Sequence, residues 1–179
     1  VAPDAVVGAH VNMLMTLPPG GDDDLDDLTE REAAQLERSQ RYFTEGNGYM
    51  SIQSTKPQTL AYGLHDSPVG LLAWIGETFH GWTDHDGDLT TSVDLDHLLT
   101  NVTVYWVTGT IASSVRYYHE NLTSGAVAVE PITHLPLGVA NFPAEILAGR
   151  RRWAEATHRL ERWTDMPRGG HFAAMEAPE

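Results

Sequence analysis

Glu145, in Asn141-Phe142-Pro143-Ala144-Glu145, and His171, in Arg168-Gly169-Gly170-His171-Phe172, are two residue types that can together activate water. Histidine takes up a proton near neutral pH, and an adjacent carboxylate fixes its tautomer and stabilises the imidazolium. Each residue follows a segment that reads as a strand, Ile132–Asn141 for the acid and His158–Thr164 for the histidine. In open α/β sheets functional groups sit in loops just past the carboxyl ends of strands. The 26-residue interval suits one helix-plus-strand unit, which would bring adjacent strand ends together. An acid and then a histidine on consecutive strands is the second half of a nucleophile–acid–histidine triad. Taken singly, His171 reads better as a structural histidine capping the final helix and Glu145 as a solvated first-turn acid favoured by the helix dipole. Their order and placement together favour the catalytic reading.

The elements that must position these two residues are punctuated clearly. Val6–Met15 is a short apolar run with a β-branched start, closed by Pro18-Pro19-Gly20-Gly21, and predicts a buried strand. Thr29 and Glu32 have capping-box spacing; with Ala33, Leu36, Gln40 and Phe43 on one face they predict a helix from about Thr29 to Thr44, ended by Glu45-Gly46-Asn47-Gly48. Pro57 and Pro68 suit first helical positions, with Thr55 or Lys56 and Ser67 as caps, so Gly70–Ile75 belongs to a mostly buried helix. Asp94 caps a further helix through Leu98 to Trp106, and Gly109 separates it from one reaching Tyr118. After Gly125 come the Ile132–Asn141 strand, a short helix opened by Pro143, a small helix over Arg150–Glu155 and the His158–Thr164 strand. Strand, helices, strand, helix at this spacing implies a parallel α/β sheet.

Composition removes several classes of function. The 179 residues include 25 acids against 11 Lys and Arg, a net charge of −14, which argues against nucleic-acid phosphate or anionic lipid as a partner. The length suits one ordinary domain, and an apolar share of 41% with no long apolar run argues against disorder and a membrane span. Without cysteine there is no disulfide, thiol nucleophile or Cys-ligated zinc. No signal-peptide pattern is present, and a cytoplasmic location is expected. The run Asp22–Asp27 reads as solvated surface, and Asp84-His85-Asp86-Gly87-Asp88 as a plain turn, since its glycine is one place early for a calcium loop and no Glu follows. The sequons at Asn101 and Asn121 sit in or beside helices and read as chance. The first residue, Val1, and the end at Pro178-Glu179 read as a piece of a longer protein.

Longer motifs carry a family resemblance. Gly48-Tyr49-Met50-Ser51-Ile52-Gln53-Ser54-Thr55-Lys56-Pro57-Gln58-Thr59, Asp66-Ser67-Pro68-Val69-Gly70-Leu71, Leu98-Leu99-Thr100-Asn101-Val102, Tyr105-Trp106 and Thr108-Gly109-Thr110-Ile111 are similar to the microsomal-type epoxide hydrolases. So are Asn141–Glu145 and Arg168-Gly169-Gly170-His171-Phe172-Ala173-Ala174-Met175-Glu176. The resemblance covers nearly the whole chain, and only the carboxyl-terminal part of such an enzyme. It implies a partial α/β-hydrolase fold: a core strand over residues 1–17, a helical lid over 18–125 and the last core segment over 126–179. It implies that Glu145 is the charge-relay acid, His171 the water-activating base, and Tyr49 and Tyr118 the two lid donors to the epoxide oxygen. Phenols, with a pKa of about 10, donate hydrogen bonds at neutral pH without ionising. Tyr117, next to Tyr118, points elsewhere on a helix and is assigned no role.

One part of the family's pattern is missing. Its nucleophile is an aspartate on a Gly-x-Asp-x-Gly elbow before the Val6–Met15 strand; Asp4 precedes that strand, and Asp22 to Asp27 lack the glycine spacing. The implied partners are therefore a small epoxide and the missing amino-terminal half of the same enzyme, with no cofactor and no metal expected; a homo-oligomer is compatible with the sequence. Two other readings stay open: another lidded hydrolase, such as an esterase or dehalogenase, or a non-catalytic interaction half. The nucleophile decides between the enzymes.

Overall fold

A computed structural model describes residues 5–20, 25–125, 131–147 and 149–178. Asp4 and Asp22 to Asp24 of the acidic run lie outside the described residues. The chain divides into two compact units: Val1–Tyr42, Trp82–Asp84 and Glu130–Glu179 form one, and Phe43–Gly81 with His85–Val129 form the other. Residues 18–20 and 25–42, which the resemblance assigns to the lid, group here with the strands.

The first unit is built on a three-stranded parallel sheet in the order β1 (Ala9–Val11), β2 (Leu137–Asn141), β3 (Leu160–Asp165). Both β1 and β2 are shorter than their apolar runs, because only the paired stretch keeps strand geometry. Four of the five residues of β2 are buried, as expected of a central parallel strand covered on both faces. Leu137 and Val139 are buried almost completely, and Phe142, Trp153 and Ala154 are buried in the same unit.

Helix α1 spans Glu30–Arg41 and starts as its sequence dictates: Thr29 Oγ1 accepts from the Glu32 amide, and the Glu32 carboxylate accepts from the Thr29 amide at 2.9 Å. Its regular part ends at Arg41, and a π-helical turn, Tyr42–Gly46, completes the stretch expected to reach Thr44. Its buried face differs from expectation. Ala33, Gln40 and Phe43 are exposed, and the buried residue is Gln35. Gln35 Nε2 donates to Asn141 Oδ1 at 3.0 Å and to the Phe142 carbonyl at 2.9 Å, while Arg31 Nη2, one turn earlier, donates to the carbonyls of Asn141 and Met166. The Asn141 carbonyl also accepts from the Met166 amide at 2.9 Å, so the polar face of α1 adds further bonds to carbonyls at the ends of β2 and β3, which an apolar face could not supply.

Glu32 serves a second purpose. Arg150, whose side chain is 4% exposed, donates from Nε to Glu32 Oε1 at 2.8 Å and from Nη2 to Asp27 Oδ1 at 3.1 Å. Burial pushes the Glu32 carboxyl up, but hydrogen bonds from Arg150 and Thr29 outweigh it and hold the group down to about 2. Arg150 itself precedes α7 (Arg151–Thr157), where the sequence reading had placed it inside a helix.

The second unit is helical. It contains α2 (Gly48–Thr55), α3 (Pro57–Asp66), most of α4 (Pro68–Trp82), α5 (Leu95–Thr108) and α6 (Ile111–Ser124). Pro57 and Pro68 take the first helical positions of α3 and α4, and Ser67 Oγ accepts from the Gly70 amide at 3.0 Å. Asp94 caps α5 by accepting from the Asp96 amide at 2.7 Å. Helices α2 and α3 both pack on α6, around the buried Ala61, Leu64, Ile111 and Val115. Among the described residues no helix is long and apolar enough to cross a membrane.

Candidate active site

Strands β2 and β3 end side by side, and the loops beyond them stay in register. The Ala144 amide donates to the Gly169 carbonyl at 3.0 Å, and Ala144 forms a parallel bridge with Gly170. Pro143 therefore belongs to a turn and opens no helix: the chain here is held by the neighbouring loop, which leaves no room for helical hydrogen bonds. Glu145 and His171 are the next residues after the bridged pair, so the register that joins Ala144 to Gly170 also brings acid and histidine together.

The His171 Nδ1 and Glu145 Oε1 atoms are 2.8 Å apart. Glu145 is 2% exposed, so it is neither solvated nor in a first helical turn, and its Oε1 also accepts from the Ile146 amide at 2.7 Å. An ionised carboxylate only accepts. Nδ1 must then carry the proton, and Nε2 keeps a free lone pair. The His171 side chain, 23% exposed, retains a path for a water to reach it. Asn12, just past β1, donates from Nδ2 to the His171 carbonyl at 3.3 Å, which brings all three strand ends to this site.

The two glycines before His171 have separate reasons. Gly169 has φ +105°, a backbone conformation that strains any residue with a Cβ. A Cβ on Gly170 would lie 2.6 Å from the Trp82 carbonyl oxygen. Trp82 accepts from the His171 amide at 2.9 Å, and its ring meets the imidazole edge-on with centroids 5.0 Å apart. Trp82 and Asp84 carried no chemical signal in the sequence, where the Asp84 region read as a plain turn. Asp84 accepts from the Gly169 amide at 2.8 Å, and Glu176, on the one-turn helix α8 (Ala173–Glu176), accepts from the Asp84 amide at 2.7 Å.

The tyrosines form a second pair, inside the helical unit. Tyr49 in α2 and Tyr118 in α6 meet edge to face with ring centroids 5.8 Å apart, and the Tyr118 hydroxyl is hydrogen-bonded to the side chains of Tyr49 and Gln53. Gln53 lies one turn after Tyr49 on α2 and is buried. The Trp74 indole nitrogen of α4 stands 3.2 Å from Gln53 Oε1, and an indole N–H can only donate. Gln53 thus stands between the indole and the Tyr118 phenol and helps to orient that phenol. Burial raises the Tyr118 phenol above its ordinary value of 10.0, with the hydrogen bond from Tyr49 opposing, so the group is a neutral donor at physiological pH. Tyr117 is 68% exposed. Gln53 was legible only as a letter within a motif; its burial and the indole beside it needed the fold.

Among the described residues no group of three or more His, Cys, Asp or Glu is placed to hold a metal ion. The structure thus holds two constellations: a buried acid with an oriented histidine, suited to activating water, and a pair of phenols suited to donating to an oxygen that gains charge.

No family model matches the chain. Curated relatives do: it is 40% identical over 205 residues to epoxide hydrolase 1 of Oryctolagus cuniculus, covering 100% of this chain and 44% of that protein. It is 48% identical over 143 residues to epoxide hydrolase 1 of Sus scrofa, covering 74% of this chain and 32% of that one. Among solved structures it is similar to an enantioselective mutant of epoxide hydrolase from Aspergillus niger, with a TM-score of 0.79 and 31% identity over 98% of this chain and 43% of that chain. The chain therefore spans less than half the length of these relatives, and the part it matches is carboxyl-terminal.

Proposed function

Since the chain belongs to the epoxide hydrolases, spanning the carboxyl-terminal part of such an enzyme with a partial α/β-hydrolase fold and a helical cap, we propose that it supplies the ring-opening donors and the water-activating pair for hydrolysis of an epoxide to a vicinal diol. The observation that carries this reading is the 2.8 Å contact between His171 Nδ1 and the buried Glu145 Oε1. The partner it requires is the rest of the same enzyme, bearing a carboxylate nucleophile.

In the first step that carboxylate attacks an epoxide carbon and the C–O bond breaks. The oxygen takes the bonding electrons as an alkoxide, and Tyr49 and Tyr118 donate to it, one giving up its proton. In the second step His171 Nε2 removes a proton from water and the hydroxide adds to the ester carbonyl. Glu145 holds the imidazolium through Nδ1–H while collapse regenerates the carboxylate and releases the diol, whose leaving oxygen takes the proton of the added hydroxyl. The proton on His171 then returns through water to the tyrosinate, which restores both groups. Paired phenols favour an epoxide over an ester substrate, because an esterase places backbone amides, not side-chain acids, at its oxyanion.

The test uses the complete enzyme with His171→Gln or Glu145→Gln. Exposure to an epoxide should leave a protein heavier by the mass of the epoxide, with the adduct on an aspartate. An adduct on serine, or none with either variant, would overturn the reading. The 179-residue chain on its own should turn over no epoxide, since general-base help contributes only about 10²–10⁴-fold and has no ester to act on.

A further inference from the structure

Four consecutive amides around the histidine are all committed. Gly169 donates to Asp84 Oδ2 at 2.8 Å, Gly170 to Glu176 Oε2 at 2.9 Å, His171 to the Trp82 carbonyl at 2.9 Å and Phe172 to Glu176 Oε1 at 2.9 Å. Glu176 thus spends one oxygen on the residue before His171 and the other on the residue after it. Its remaining bond, 2.7 Å from the Asp84 amide, goes to the segment that carries Trp82. The side chain is 6% exposed, in a helix of one turn with no need of a carboxylate for its own closure. Burying a carboxylate is costly, and apolar packing would close this loop at less expense. What apolar packing could not do is fix the direction of two amides that flank one residue.

We propose that Glu176, supported by Asp84, is a positioning residue for His171: its carboxylate holds the backbone on both sides of the histidine and thereby sets the contact between His171 Nδ1 and Glu145 Oε1. The proposal rests on the epoxide hydrolase reading, since it assigns Glu176 to the ester-hydrolysis step and not to ring opening. A glutamine at 176 keeps the shape but turns an NH2 group toward an amide N–H, so one flanking amide loses its acceptor. Burial pushes the Glu176 carboxyl above its ordinary range, and the three backbone amides oppose that shift by favouring the charged form.

The experiment follows the two half-reactions separately in single turnovers of the complete enzyme, with intact mass reporting ester formation and decay. Glu176→Gln should slow ester hydrolysis about a hundredfold, the cost of roughly 1 Å of misplacement. Ring opening should change by less than about threefold. Asp84→Asn, which weakens the hold on the Gly169 amide and removes a like charge that acts on Glu176, should give the same selectivity with a smaller effect, and it keeps the test decisive if Glu176→Gln does not fold. Equal slowing of both half-reactions in these variants would mean a merely structural role and overturn the proposal, as would hydrolysis at the parent rate. Failure of His171→Gln to accumulate any ester would instead sink the function itself.

Discussion

Replacing Gly170 by alanine tests whether the loop's close approach is what aligns the site. The new Cβ would stand 2.6 Å from the Trp82 carbonyl oxygen, 3.3 Å from the Ala144 carbonyl oxygen and 3.3 Å from the Asp84 amide nitrogen. All three neighbours are backbone atoms in hydrogen-bonded segments, so no side chain can swing away. Relief needs a displacement of roughly half an ångström or more, at the cost of about 1–3 kcal/mol usual for overpacking. The atom displaced is the one that accepts from the His171 amide at 2.9 Å. Since a catalytic constellation tolerates only about 0.5 Å, ester hydrolysis should fall about a hundredfold. Urea denaturation of the complete enzyme reads the first quantity and single-turnover ester decay the second. Gly76→Ala in α4 is the control: nothing lies within 4 Å of its Cβ, so a gain of about 0.5–1 kcal/mol is expected from helix propensity. Gly170→Ala with the parent's stability and hydrolysis rate would refute the reasoning.

Tyr49→Phe and Tyr118→Phe should each slow ring opening about tenfold and together by about 10²–10³, because one donor partly covers for the other. Parent alkylation rates in both single variants would remove them from the mechanism. Gln53→Met should also slow ring opening, by about tenfold, while ester decay stays unchanged, since it removes the polar partner that orients Tyr118; stopped-flow single turnovers separate the two. Glu32→Gln should lower stability at neutral pH by about 1–3 kcal/mol, because buried Arg150 loses one of its two carboxylate partners and keeps only Asp27. The Glu32 carboxyl is held below its ordinary 4.5, at about 2, so this contribution is complete above pH 4.5 and disappears as pH falls toward 2. Urea midpoints of parent and variant should therefore converge over that range, and a gap that persists at pH 2 would assign the effect to packing.

What was legible in the sequence was what is encoded locally. Thr29 with Glu32, Pro57, Pro68, Ser67 and Asp94 announce helix starts, because a cap acts on amides two or three residues away. Glu145 and His171 were legible as a pair because chain order and strand register impose their meeting. Pro143 misled, since a proline that suits a first helical turn suits a tight turn equally, and only the bridge between Ala144 and Gly170 decides. The apolar face drawn along α1 failed for a related reason: Gln35 is buried by carbonyls of Phe142 and its neighbours, more than a hundred positions away. Asp84 and Glu176 left no signal because they act on backbone amides, which every residue has. Arg150 read only as the start of a small helix, and the convergence of Asp27 and Glu32 makes its burial tolerable.

The sheet also carries an implication for the order in which the molecule assembles. Asn141 meets Asp165 only 24 residues along the chain, and Glu145 meets His171 at 26, whereas Asn12 reaches the His171 carbonyl across 159. Closing the longer loop costs about 1.7 kcal/mol more in chain entropy than closing the shorter, before any contact repays it. Strands β2 and β3, with α7 between them, are thus the natural nucleus, and β1 docks late. The acid–histidine pair would then be set by local folding alone, ahead of the strand on the far side of the helical excursion. A late-docking edge can be reached by chain of many lengths for little further entropy, so the segment between β1 and β2 is where this architecture can best absorb insertions and still build the same water-activating pair.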